Sequence, residues 1–144
     1  MTDAGVPDGF VRHFRRSGLT DPWEPLYSRH VDGAVRIGLR AGPAHANSRG
    51  FVHGGLIAAL ADNAMGLSCG ELLRAAGAEV SAGLVTVNLA MDFIGAAKVG
   101  QWLEVRPSVL RTGARLSFCT ALILADEALC ARANATFAAV RAAA

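Results

Sequence analysis

Between residues 47 and 66 the chain reads NSRGFVHGGLIAALADNAMG: a histidine, two glycines and, seven residues after the second glycine, a single acid. A carboxylate can take a proton from water or attack a carbonyl carbon. The unpaired N–H groups of a helix's first turn can hold an oxyanion. Gly54 and Gly55 open a helix-compatible run, and their lack of side chains lets a ligand carbonyl approach those amides. Asp62 sits in that run among apolar residues that lie almost all round the helix (Leu56, Ile57, Leu60, Ala61, Ala64, Met65, Leu67, Leu72, Leu73). Such a pattern belongs to a helix enclosed by its domain.

An ionised Asp in low dielectric is costly unless it is paired, hydrogen-bonded or facing a wet cleft. Asp62 is therefore expected to line a cavity, with Ala58, Ala59, Met65, Gly66 and Cys69 forming a small-residue face beside it. Leu56, Ile57, Leu60, Ala64 and Leu67 would turn to the core. The competing reading is structural, an Asp that bonds a neighbouring backbone group or an Arg. Distance adds a constraint. Gly54 and Asp62 are eight residues apart, about 12 Å along a helix axis. A carbonyl carbon within about 3 Å of both an amide donor and the acid cannot take both from one helix. If both serve one substrate, they come from two antiparallel copies, which predicts a two-fold dimer with two composite sites.

The whole chain sets the frame for these residues. Its 144 residues suit one domain spanning 1–144 with one good core. A composition of 52% hydrophobic against 18% charged residues excludes a disordered chain. The net charge of +2 gives no reason to expect nucleic acid or an anionic membrane as partner. Cys69, Cys119 and Cys130 lie far apart in sequence without a Cys-x-x-Cys pair, and read as small buried residues of a reduced compartment. His13, His30, His45 and His53 lack zinc-like spacing, so no metal is expected. The N-terminal residues contain no apolar stretch of the secretory kind, which makes the cytoplasm the expected location.

Along the chain, residues 8–17 place Phe10, Val11 and Phe14 on one face of an expected short helix, with Gly18 ending it; Arg12, Arg15 and Arg16 form a basic face that is read as solvated, with contact to a phosphate as the alternative. Residues 26–31 and 34–40 flank Asp32-Gly33, a hairpin signal. The helix runs from about residue 53 to 76 and stops at Gly77. Residues 84–93 alternate, with Val85, Val87, Leu89, Met91 and Phe93 on one face and Thr86, Asn88 and Ala90 on the other. Strand-like runs at 102–110, 116–124 and 129–140 follow, parted by Thr112-Gly113 and Asp126-Glu127. Pro107 marks a bulge or an edge position. Hairpin, one buried helix and an antiparallel meander make an α+β domain, most simply packed with the sheet wrapped around the helix.

That order, joined to Asn47, His53-Gly54-Gly55 and Asp62, resembles the hotdog-fold acyl-CoA thioesterases, specifically their PaaI-like branch of phenylacetate degradation. The likeness covers residues 10–140 and includes VTVNLAMDFIGAAKVG at 85–100. It implies hydrolysis of an aryl- or medium-chain acyl-CoA in a homodimer, paired into a dimer of dimers, with no cofactor beyond the CoA of the substrate. At matching positions Asp62 activates water or attacks the thioester, Gly54 polarises the carbonyl, Asn47 and His53 position carbonyl or water, and Thr86 lies near the thioester. Gly55 and Met65 are expected beside the substrate. Lys98, Arg111 and Arg115, in loops flanking the strands, are candidates for the CoA phosphates. Two departures stand out: Gly66 replaces a hydroxyl residue that some relatives carry one turn beyond the acid, and Gly95-Ala96 replaces a frequent Ser-Pro. Structural alternatives are an Asx-bonded turn for Asn47, a helix-start role for His53 and an ordinary strand role for Thr86. Trp102, Met91 and Phe93 suit a pocket or a core equally. A non-catalytic acyl-CoA-binding module and a hotdog enoyl-CoA hydratase or dehydratase are the alternative functions.

Overall fold

In the computed structural model, which describes residues 5–80 and 82–140, the helix α1 (Gly54–Ala75) lies against one face of a seven-stranded antiparallel sheet. The strands are β1 (Val11–Arg12), β2 (Tyr27–Val31), β3 (Ala34–Arg40), β4 (Leu84–Phe93), β5 (Trp102–Arg111), β6 (Leu116–Ala125) and β7 (Ala128–Ala139). Their order across the sheet is β1-β2-β3-β5-β6-β7-β4. This is the hotdog arrangement.

Local chemistry accounts for the element boundaries. Asp32 (φ 51) and Gly33 (φ 80) both take the left-handed conformation that a two-residue β2–β3 turn demands. At the other end of α1, Gly77 (φ 84) allows the Ala78 amide to donate to the Leu73 carbonyl and the Gly77 amide to that of Arg74, which closes the helix as a Schellman motif. The buried side of α1, including Leu60, Ala61, Ala64, Met65 and Cys69, packs against Ile37 and Leu39 of β3, Leu103 and Val105 of β5 and Ile123 of β6. Cys69 and Cys119, distant in sequence, share a hydrogen bond where the helix crosses β6. That bond, with burial, pushes the Cys119 thiol up. A second, smaller cluster of Phe10, Tyr27 and Trp102 covers the opposite face of the sheet. There Gly38 of β3 leaves room for the Trp102 indole to lie flat on the backbone.

Four expectations need correction. Residues 8–17 form no helix. Val11 and Arg12 pair with Tyr27 and Ser28 as a two-residue edge strand, and the chain from His13 to Thr20 is irregular; Phe10 finds its apolar partners, Tyr27 and Trp102, without helical periodicity. Trp102 therefore lies in this outer cluster and not in a pocket. The strands after the helix are not one continuous meander, because β4 pairs with β7 at the sheet edge while β5, β6 and β7 follow one another. Finally, strict alternation in β4 fails at a β-bulge between Thr86 and Asn88. Thr86 opposes Phe137, and Leu89, Met91 and Phe93 oppose Ala135, Ala133 and Ala131; these four β7 residues are buried in the core that α1 shares. Thr86 thus shares their face. Pro107 lies just beyond the last β3–β5 pair, Ile37 with Val105, so that only β6 remains beside it, with Ala121 opposite.

Candidate active site

Two groups of predicted residues assemble at different points along α1. At its N-terminus, His53 is the N-cap and its Nδ1 accepts the Gly55 amide at 2.9 Å. The accepting nitrogen carries no proton, so Nε2 does. A Cβ on Gly55 would come within 3.0 Å of that imidazole, so glycine at this position is what lets the histidine fold back over the helix start. The Gly54 amide has no hydrogen-bond partner among the described residues. It remains available at the positive end of the helix.

Asn47 uses its side-chain oxygen to hold a turn, accepting the amides of Arg49 at 2.9 Å and Phe51 at 3.2 Å. Only its side-chain NH2 is left to meet a ligand. Phe51 in turn bridges to Lys98, whose side chain is exposed beside this loop.

The second group lies in the middle of the helix. Thr86 Oγ1 donates to Asp62 Oδ1 at 2.6 Å, a charge-assisted geometry. The β4 bulge makes this possible: without it Thr86 would point to the other side of the sheet. One carboxylate oxygen is thereby held, and Oδ2 is left for chemistry. Asp62 and Thr86 line a cavity of about 680 Å³, as an acid on an otherwise apolar helix predicted.

The remaining candidates divide. Gly66 lines the cavity, and a Cβ there would press to 3.2 Å on the Phe137 ring, which leaves the position little room for the hydroxyl side chain found in some relatives. Met65, although three residues from Asp62, is completely buried in the core cluster and does not line the cavity, which corrects its expected place beside the substrate. Cys69 is likewise core. Arg111 and Arg115 flank the β5–β6 turn and do not line the cavity. The cations that do line it are Arg15, Arg16 and Arg74, with His13. Arg15 and Arg16, expected on a solvated helix face, instead reach the cavity from irregular chain, while Arg74 comes from the last turn of α1. No group of three His, Cys, Asp or Glu side chains able to hold a metal is present among the described residues.

Residues 49–131, which contain Gly54, Asp62 and Thr86, match the family model described as "Thioesterase superfamily". The chain belongs to the thioesterase superfamily. A relative from Pseudomonas aeruginosa, named "Putative esterase PA0474", is 38% identical over 92% of this chain and 96% of its own. Among solved structures, zebrafish thioesterase superfamily member 2 superposes with a TM-score of 0.75 at 22% identity, covering 87% of this chain and 88% of that one. A thioesterase protein of Streptococcus pneumoniae TIGR4, solved with coenzyme A, gives 0.70 at 20% identity, covering 81% and 89%. Membership makes this superfamily chain a thioester hydrolase on a hotdog fold.

Proposed function

We propose that this thioesterase hydrolyses acyl-CoA in a two-fold dimer whose two sites each combine Asp62 of one protomer with the Gly54 amide of the other. One observation supports the reading: the two ends of β4 lie against the two functional points of α1, so that a two-fold axis through β4 would exchange them. Phe93, at the end of β4, packs on Gly54, with ring Cζ 3.1 Å from where a Cβ would be. Thr86, near the start of β4, bonds Asp62. Two copies of β4 paired antiparallel about an axis near Leu89 and Ala90 set Phe93 of one protomer against the partner's Thr86. Gly54 is then carried towards the partner's Asp62, and the separation of about 12 Å within one helix is closed.

β4 also has reason to pair. It is the sheet's edge, with one side unpaired, and Val87, Phe93 and Ile94 on and just after it are each more than half exposed. A long apolar edge is a template for another strand unless something covers it. A second copy of β4 covers it and continues the sheet. The opposite sheet face exposes Phe118 and Leu122, which supports a further pairing into a dimer of dimers.

In such a site the Gly54 amide and the helix dipole stabilise the oxyanion as a nucleophile adds to the thioester carbon. Asp62 acts by either of two routes: it removes a proton from attacking water, or its free oxygen attacks directly to give an anhydride that water then opens. The C–S bond breaks, the thiolate takes up a proton, and acid and CoA leave. Thr86 positions the carboxylate. The S. pneumoniae relative's coenzyme A supports CoA as the thiol. The test is thiol release from aryl, short and long acyl-CoAs, with enoyl absorbance followed in parallel. Release of thiol that disappears in Asp62→Asn supports the proposal. Loss of enoyl absorbance without thiol, or tight binding without turnover across the panel, would overturn it.

A further inference from the structure

The cavity beside Asp62 extends towards the C-terminal end of α1. Apolar side chains of Leu26, Ile37, Leu67, Leu84 and Phe137 line it, together with the polar Ser17, Thr20 and Asn63. Its far rim is cationic. Arg74 folds back over Gly70, a guanidinium nitrogen lying 3.4 Å from where a Cβ there would be. Gly70 is eight residues beyond Asp62, about 12 Å along the helix. Arg15 comes to the same cavity from the irregular segment that follows β1, close enough to His13 to help hold that imidazole's pKa below its ordinary value, after the larger effect of burial. Arg16 is committed to Asp21 at 3.1 Å. The guanidinium groups of Arg15 and Arg74 make no ion pair or hydrogen bond among the described residues. Three arginines thus stand on this wall against two acids, Asp62 and Glu79.

An acid for catalysis, a set of apolar side chains and unpaired guanidinium groups on one cavity match one kind of acyl group. Resting on the proposed thioesterase reading, we propose that Arg15 and Arg74 form the end of the acyl pocket and select acyl thioesters that carry a carboxylate at the far end of an apolar chain. The apolar side chains suit the methylenes or arene of an acyl group. Guanidinium forks recognise a carboxylate in paired hydrogen bonds. The same groups could instead take a phosphate of CoA, and the experiment separates the two sources of anion.

The measurement is kcat/KM for suberyl-CoA and for its terminal methyl ester, and for the matching pair of N-acetylcysteamine thioesters, which have no nucleotide. The wild type is expected to prefer the free carboxylate by roughly tenfold with either thiol carrier, the scale of one or two partly exposed charge pairs. Arg15→Ala/Arg74→Ala should bring that ratio to about one, and Arg15→Glu/Arg74→Glu should invert it; retention of the wild-type circular dichroism spectrum by both excludes misfolding. Equal rates on acid and ester in the wild type, or a preference that survives both double variants, would overturn the assignment. So would a rise in KM confined to the CoA thioesters, since that places the phosphates at this rim. Calorimetric binding of the same four compounds to Asp62→Asn separates the two proposals. Carboxylate-selective binding without wild-type turnover of any thioester sinks the hydrolase reading alone, and turnover without selectivity sinks this one alone.

Discussion

The composite site makes a quantitative demand on mixed dimers. Asp62→Asn removes the acid, for which a loss of about 100-fold or more is expected. Gly54→Pro removes the amide donor with little cost to the helix. Gly54 is the first helical residue, where proline is tolerated, and His53 before it is already extended at φ −65 and ψ 131, as a residue preceding proline must be. Loss of one oxyanion donor is worth about 100- to 1000-fold. Gly54→Ala keeps the N–H and controls for the new contact with Phe93. Let the two inactive chains be coexpressed with different tags and the mixed dimer be isolated by tandem purification. One of its sites holds both lesions. The other pairs an intact Asp62 with an intact Gly54, so each mixed dimer is expected to show about half of wild-type activity, some 50-fold above either parent. The assay is thiol release at saturating acyl-CoA, with the dimer confirmed by sedimentation. Activity no higher than that of the parents would mean that the two groups never meet across an axis, and the argument from helix length would fall.

Other consequences follow from single contacts. Thr86→Val deletes one hydrogen bond to the carboxylate and should lower kcat about tenfold with KM little changed, while Thr86→Ser should keep most of the rate; equal activity of all three would remove Thr86 from the site. Leu89→Lys, on the exposed edge strand, should convert the dimer to an inactive monomer by sedimentation. Gly38→Ala drives a Cβ into the Trp102 indole and should cost about 1–3 kcal/mol in urea unfolding without touching the site. Burial holds the His13 pKa below its ordinary 6.5, with Glu24 acting in the opposite sense and Arg15 in the same sense. The folded state therefore binds fewer protons than the unfolded one, so stability is full above pH 6.5 and falls as pH drops through and below it. Replacing His13 with Asn should flatten that part of the stability profile, and an unchanged acid slope would contradict the assignment.

Much of this protein is local and therefore legible in the residues themselves. Asp32-Gly33 sets a turn because its backbone needs two left-handed residues; Gly77 stops the helix for the same steric reason. An acid on an apolar helix implied a cavity because a bare charge cannot be buried alone, and the cavity is there. Sequence spacing alone also raised the need for two helices, since rise per residue is a constant of the backbone.

What only the tertiary structure decided is how separate elements meet. Alternation put Thr86 on the wrong face of β4, because a bulge is defined by the opposing strand, and the residue opposite Thr86 is the sequence-distant Phe137 of β7. It likewise could not say that β4 lies at the sheet edge with its apolar residues uncovered, which depends on strand order. Met65 and Asp62 share a helical neighbourhood in sequence, yet the sheet takes one and the cavity the other. Arg15 and Arg74 came to one cavity from an irregular segment and a helix end, with no period to announce them. Periodicity reports which side of an element is apolar, and contacts across the fold decide what that side faces.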